Sequence, residues 1–385
     1  MTAFSGAFHS SPAGHSQIDL DDAEALLAAD HDGSLRAASM AGSQVRATLC
    51  ALDEGALDVL RSESRDYRPR SVIWVSTRGA AASAGSMLAA VRAHSARQPV
   101  VQTAEAPAWI GSLDVLVAAG DDPGDPALVA AAAAGVRRGA RVVVIAPYDG
   151  PLRDATAGRV AVLEPRISVA PQFSLPRYLA AGLAVMDALE PSHDDGRGDS
   201  VGADLAALAD ELDAEALRNS AARELFTNPA KMLADRICGH QVALAGDCAA
   251  TLALARHGSA AMLGIGGRVV AAAGLADAVN ALRSRSAAGP VDIFHDEQID
   301  GPRQDRLRVL ALTLAAERSV VAARVAALGE VDLVGAGDIP PAGSPDEMAP
   351  ADKAAPVGPG RVEQQLAVLA VRLEMAAAYV RLLRG

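Results

Sequence analysis

Hydrophobic positions change their period several times along this chain of 385 residues. Between residues 19 and 67 apolar side chains recur at helical spacing among acids. Leu49, Leu52, Leu57 and Leu60 stand beside Asp53, Glu54 and Asp58, which predicts a helical segment. At 71–76 the pattern becomes a short unbroken apolar run, SVIWVS, that ends in a small-residue turn and enters an alanine-rich helix near 82–94. Runs of the same kind follow at 100–103, 113–119 (LDVLVAA), 141–146 (RVVVIA) and 160–163, with helices near 127–138 and over 174–189. Strands without polar alternation, separated by helices of this length, read as βαβ units around a parallel sheet covered on both faces. Right-handed crossovers then place the loops that can carry function at the carboxyl ends of the strands.

The alternation resumes after 191–222, where SHDDGRGDS has linker composition and a connector helix follows. Helices are predicted at 228–237 and 248–257, strands at 241–245, 268–272 and 291–294, and a long helix at 304–328. The Ala/Pro/Gly-rich stretch 335–360 reads as a mobile insertion. In the last helix, 361–385, Val362, Leu366, Leu369, Leu373, Ala376, Val380 and Leu383 step 4-3-4-3-4-3, a heptad seam. Such a seam serves either packing on its own domain or a subunit interface. The expected organisation is a disordered tail (1–17), a helical segment (18–67), a first α/β domain (68–190), the linker and connector (191–222) and a second α/β domain (223–385).

Composition narrows the function classes. Half of the residues are hydrophobic, yet no uninterrupted apolar run reaches the roughly 18–20 residues of a membrane span. The opening residues lack a basic stretch followed by an apolar one, so a cytoplasmic protein without membrane contact is expected. A net charge of −12 argues against a nucleic-acid partner, and the acids of 19–58 argue against a DNA reader in the first helices. Cys50, Cys238 and Cys248 fit neither a disulfide frame nor a metal spacing. Lys231 and Lys353 are the only lysines, which leaves few amines for Schiff-base or base chemistry.

Four stretches carry a family resemblance: VIWVSTRGAAASAGSML, LDVLVAAGDDPGDPALVAAAAAGVRRGARVVVIAP, NPAKMLADRICGHQVALAGDCAATLALARHG and DIFHDEQIDGPRQDRLRVL. Over about residues 68–385 they resemble the double sugar isomerase (SIS) fold. The closer resemblance is to the bifunctional phosphoglucose/phosphomannose isomerases, in a branch like the TobH-type proteins of high-GC bacteria. The resemblance implies two SIS-type, flavodoxin-like, doubly wound domains. It further implies a sugar-phosphate or sugar-derived ligand, no cofactor and a homodimer.

The loops that would do the chemistry depart from that family. Where it has S-x-S-G-N-T, whose hydroxyls and backbone amides cradle a phosphate at a helix start, this chain has Gly120, Asp121, Asp122, Pro123, Gly124 and Asp125. Each carboxylate at 4–6 Å from a phosphate costs on the order of 1 kcal/mol or more at intermediate dielectric. These acids suit helix capping, with cation or amine binding as the alternative. Where the family has G-x-G-G-S, the chain has Ser76, Thr77, Arg78, Gly79 and Ala80. Arg78 is placed to meet an anion or to pair with Asp121 or Asp122.

Aldose–ketose isomerisation needs a base that moves a proton between adjacent carbons, and groups that stabilise the enediolate. The family's Glu and His stretches are replaced by RHGSAAMLGIGGRVVAAAGLADAVNAL, where His257 comes too early, and its C-terminal Lys is missing. Arg177, in a Pro-Arg pair, matches a family position, but a guanidinium stays protonated and cannot serve as the base. Asp292, His295, Asp296, Glu297 and Asp300 have no helical pair of His for a metal, and the resemblance implies a structural role for their segment. The expected function is therefore a carbohydrate-derivative-binding or regulatory module with a degenerate isomerase site. The rival is an active phosphoglucose/phosphomannose isomerase using Arg177 with His295 or Glu297.

Overall fold

In the computed structural model the described residues are 18–63, 68–93, 98–190, 200–286, 306–338 and 361–384. They open with helices α1 (Ala23–Ala29), α2 (Ser34–Ser39), α3 (Ala41–Asp53) and α4 (Asp58–Glu63). The first sheet and its helices follow: β1 (Ser71–Val75), α5 (Gly79–Arg92), β2 (Val100–Thr103), β3 (Asp114–Ala119), α6 (Pro126–Arg137), β4 (Arg141–Ile145), α7 (Gly150–Thr156), β5 (Ala161–Val162) and α8 (Leu175–Ala188). Helices α9 (Ser200–Arg218) and α10 (Pro229–Cys238) lead to the second sheet. That half contains β6 (Gln241–Gly246), α11 (Ala249–Gly264), β7 (Ala271–Gly274), α12 (Leu275–Ser286), β8 (Leu307–Thr313), α13 (Arg318–Val325), β9 (Val331–Gly335) and α14 (Val362–Arg384).

Every strand pair is parallel, in the orders β2-β1-β3-β4-β5 and β7-β6-β8-β9. The two halves repeat one topology: β6 stands to β7 and β8 as β1 stands to β2 and β3. All five residues of β1 are buried because each face has its own cover. Val72 and Trp74 enter a core that also takes Val242 and Leu244 of β6, whereas Ile73 and Val75 pack on the opposite face with Leu128, Ala132 and Val144. The inner faces of both sheets thus share one core, with α5 packed on α11 at its centre. Small residues let each of these helices lie close on its own strand. Gly85 of α5 lies on the Trp74 ring, and a Cβ on Gly246 would overlap the Thr251–Leu252 backbone of α11.

Several sequence expectations shift. The long helix expected over 304–328 is instead strand β8 followed by α13. A short apolar run such as LRVLALT is ambiguous in period, and pairing with β6 along Gln241–Gly246 settles it as a buried strand. Strand β9 ends on Gly335, where the insertion was expected to begin. Strand β7 begins three residues later than expected, and the strand expected at 291–294 falls outside the described residues.

The heptad reading of α14 gives way to fuller burial. Residues 365–380 are buried without interruption, and the helix is covered by α2, α8, α9, α10 and α11. A helix buried all round is a core element and needs no seam. Arg372 and Glu374 of this helix both find partners inside the chain, though Glu374 Oε2 makes no hydrogen bond. Arg372, 1% exposed, donates to Glu215 at 2.6 and 3.1 Å and to the carbonyls of Gly335 and Ala336 at 2.9 and 3.0 Å. Burial alone would push the Glu215 carboxyl up, but Arg372 and Arg218 hold it below the ordinary value. Glu374 accepts from or donates to His257 Nε2 at 3.0 Å, and burial raises its pKa.

The N-P-A-K motif is a similar clamp. Asn228 caps α10 through the Lys231 amide, and Lys231 Nζ donates to the carbonyls of Ala221 and Arg223 at 2.9 and 2.6 Å. The ammonium also lies 5.7 Å from the Tyr379 ring centroid. Lys231 is fully buried and committed to holding the loop before α10.

Candidate functional site at the carboxyl edge of the first sheet

In a sheet of order β2-β1-β3-β4-β5 the connections reverse direction between β1 and β3, which opens a crevice at the carboxyl ends of those strands. Ser76, Thr77, Arg78 and Gly79 leave β1 there, and Gly120 to Asp125 leave β3. Gly79 begins α5 at φ +66°, a left-handed conformation that favours glycine. Ser76 is buried at the strand end, and Gly120 donates to the Ile145 carbonyl at 3.2 Å.

The charges of this crevice are spent on one another. Asp125 caps α6 by accepting from the amides of Ala127 and Leu128 at 2.9 and 3.4 Å, and it accepts from Thr77 Oγ1 at 2.8 Å. Burial pushes its carboxyl up, yet these hydrogen bonds and the charge of Arg78 bring it below the ordinary value. Arg78 stands 3.6 Å from Asp122 and 3.9 Å from Asp125. Asp122 also accepts from the Gly124 amide at 2.8 Å. Arg78 therefore pairs across the strand ends with Asp122 and Asp125, and Asp121 lies apart from this group.

Asp121 faces a neighbouring cavity of about 390 Å³ at the carboxyl ends of β3, β4 and β5. Arg177, Ser174, Arg166 and Gln44 also line it. Arg177 sits in the first turn of α8, 9% exposed, with its guanidinium 4.2 Å from the Tyr178 ring centroid. Its Nη1 makes no hydrogen bond. Burial lowers the guanidinium's pKa, against which Tyr178 and Asp121 act. Burial likewise pushes the Tyr178 phenol up to about 12. Arg166, on the rim, is held by Glu54 of the helix-end turn after α3 at 2.7 and 2.5 Å.

Gln44 gave no functional signal in the sequence. It lies on the buried face of α3 with Ala41, Val45, Thr48 and Leu52, and a polar residue on that apolar stripe was the one available clue. Its amide nitrogen donates to the Phe173 carbonyl at 2.9 Å, while Oε1 has no hydrogen-bond partner. Arg166 and Ser174 were missed because their loops gain a common address only when β5 and α8 are in place.

The second sheet has its own cavity of about 550 Å³ at the ends of β6 and β7, with Asp247, Cys248, Arg283 and Arg324 on its wall. There Thr251 accepts from the Cys248 amide at 3.1 Å and closes the start of α11. Asp292, His295, Asp296, Glu297 and Asp300 fall outside the described residues. Among the described residues no cluster of three or more His, Cys, Asp or Glu could hold a metal ion, and no helix is long and apolar enough to cross a membrane.

The sequence matches no protein-family model and no curated protein. Solved structures do match. A protein from Bacillus subtilis provisionally named a phosphosugar isomerase aligns with a TM-score of 0.57 at 14% identity, over 86% of this chain and 92% of that one. One from Salmonella typhimurium LT2, provisionally named a sugar binding protein, aligns with a TM-score of 0.56 at 13% identity, over 89% and 98%. Glucosamine-6-phosphate deaminase from Thermotoga maritima aligns with a TM-score of 0.54 at 10% identity, over 91% and 95%. The fold is the two-sheet SIS type expected from the sequence. At such identities the likeness carries architecture alone, and the chemistry rests on this chain's own residues.

Proposed function

We propose that this SIS-fold chain is a binding or regulatory module of carbohydrate metabolism that holds a carbohydrate derivative at the carboxyl edge of its first sheet without turning it over. The observation that carries the reading is the Arg177 guanidinium, buried beside a cavity with its Nη1 unpartnered. A buried donor without an acceptor is costly, and a polar ligand is what would satisfy it. The cavity of about 390 Å³ is at the small end of ligand sites, suited to one monosaccharide-sized molecule. Solved structures with this architecture include proteins named for phosphosugars and sugars, which supports the ligand class.

The case against turnover is chemical. Among the described residues neither Glu nor His lines the cavity, and the phosphate-cradling loop of the resembled family is here an acidic, self-paired turn. The reading extends to a homodimer acting in the cytoplasm. A thermal-shift screen against sugar phosphates, nucleotide sugars, amino sugars and sugar acids tests the binding function. A stabilising hit lost in Arg177→Met supports it, and a screen without any hit contradicts it.

One observation favours a second reading. Asp121 and Arg177 line the same cavity, so a carboxylate base and a cation able to stabilise an enediolate share one space. An aldose–ketose isomerase of hexose 6-phosphates would interconvert fructose 6-phosphate with glucose or mannose 6-phosphate. Turnover of about 1 s⁻¹ or more, abolished in Asp121→Asn, would establish it in place of the non-catalytic reading.

A further inference from the structure

Three features of the Arg177 cavity bear on what it selects. Arg177 supplies an unpartnered donor, Nη1, and Gln44, 2% exposed, supplies an unpartnered acceptor, Oε1. The Gln44 amide is fixed in that sense, because its nitrogen is already committed to the Phe173 carbonyl. Asp121 adds an exposed carboxylate to the wall. A ligand must therefore bring an acceptor to Arg177 and hydroxyl donors to Gln44 and Asp121.

Charge decides which acceptor. A guanidinium keeps its proton throughout the physiological range. Arg166 is paired with Glu54 at 2.7 and 2.5 Å, so Arg177 and Asp121, which act on each other, are the one further cation and the one carboxylate of the cavity wall. A phosphate dianion would bring two further negative charges against that single cation, beside Asp121. It would also lack the neutral cradle, since Asp122 and Asp125 occupy the β1–β3 crevice. A carboxylate brings one charge and matches a guanidinium in shape and hydrogen bonding.

We infer that the cavity formed by Arg177, Gln44 and Asp121 binds a polyhydroxylated monocarboxylate, a sugar acid, in preference to a phosphosugar. The carboxylate pairs with the Arg177 guanidinium, and neighbouring hydroxyls donate to the Gln44 amide oxygen and to Asp121, the Arg177 and Gln44 side chains turning toward the cavity to bring out polar atoms that are otherwise covered. The inference rests on the reading that this cavity takes a carbohydrate derivative, and it names the chemical class. It also gives the helical segment before the first strand a role in recognition, since α3 delivers Gln44 from 133 positions upstream of Arg177 (177 − 44).

Calorimetric titration of the full chain with D-gluconate, D-glucuronate, D-glucose and D-glucose 6-phosphate tests it. A sugar acid should bind about tenfold or more tighter than glucose or glucose 6-phosphate. Loss of a hydrogen bond to a charged group should weaken that binding by more than about tenfold in Arg177→Met, and loss of a neutral one by about fivefold in Gln44→Leu. Circular dichroism checks that each variant folds, and Gln44→Leu keeps the test open if Arg177→Met does not. Tightest binding of glucose 6-phosphate or glucose would overturn the ligand class while leaving the carbohydrate-binding reading intact. Sugar-acid binding indifferent to both substitutions would overturn the site. No binding of any sugar derivative, here and in the wider screen, would remove the reading itself.

Discussion

Arg372 and Arg177 are 1% and 9% exposed, yet their surroundings differ in kind. Arg372 lies in the central helix α14, where Glu215 and the carbonyls of Gly335 and Ala336 receive its donors. Arg177 opens α8 at the edge of the first sheet, stacked near the Tyr178 ring with Nη1 unpartnered beside a cavity. The carboxylates show the same division. Asp125 is committed to α6, Thr77 and Arg78, whereas Asp121 is left to the cavity wall. A buried charge completed by its own chain holds the fold together. One left open beside a cavity is poised for a ligand.

That contrast can be broken at its structural end first. Arg372→Met removes the main counter-charge of buried Glu215 and the donors to two carbonyls. Breaking a buried pair by deleting one partner costs roughly 3–5 kcal/mol. Arg218, 3.0 Å from Glu215, remains as a partial substitute, so denaturant unfolding should show a loss near the lower end, about 3 kcal/mol. A loss under about 1 kcal/mol, the scale of an exposed pair, would mean the network contributes little.

The crevice gives the next effect. Asp122→Ser with Asp125→Thr replaces two repulsive carboxylates by neutral groups and keeps a capping hydroxyl at the start of α6. Two terms of at least about 1 kcal/mol each predict roughly 30-fold or more tighter binding of glucose 6-phosphate than in the natural chain. Calorimetric titration of both proteins checks this. Tighter binding by the natural chain would mean that the carboxylates serve the ligand.

A smaller effect is read through pH. The folded Asp125 carboxyl lies below its ordinary value of 3.8. Its contribution is therefore present above that value and lost as pH falls through the lower, folded one. Asp125→Asn still offers a capping acceptor, so it should cost only about 0.5–1 kcal/mol at pH 7. The difference from the natural chain should be level above about pH 5 and shrink below about pH 4. A difference that grows as pH falls would contradict the assignment.

The parallel strands were legible because SVIWVS, LDVLVAA and RVVVIA are short apolar runs that alternate with helices and end in turn residues, the pattern of a doubly covered sheet. LRVLALT was read as helix, because a run of that length fits both periods until β6 pairs with it. The acidic turn at Gly120–Asp125 could be read as hostile to phosphate from residue types alone. Its division into a paired group and a separate Asp121 could not, since that depends on which way the loop turns after β3. Arg177 was nominated by its Pro-Arg context. Gln44 gave no sign beyond being polar on an apolar helix face, because its partner Phe173 is 129 positions away in the chain.

The contrast stands or falls on the variant expected to do least. In Arg177→Met, relief of a desolvated charge is opposed by loss of the aromatic contact, worth about 2 kcal/mol when desolvated, and replacing buried charge by apolar volume gains roughly 1–4 kcal/mol. Denaturant unfolding without added ligand should thus give a stability between about 1 kcal/mol below and about 2 kcal/mol above that of the natural chain. A loss of about 3 kcal/mol, equal to that expected for Arg372→Met, would show that Arg177 is a structural clamp like its counterpart and that the cavity beside it is incidental.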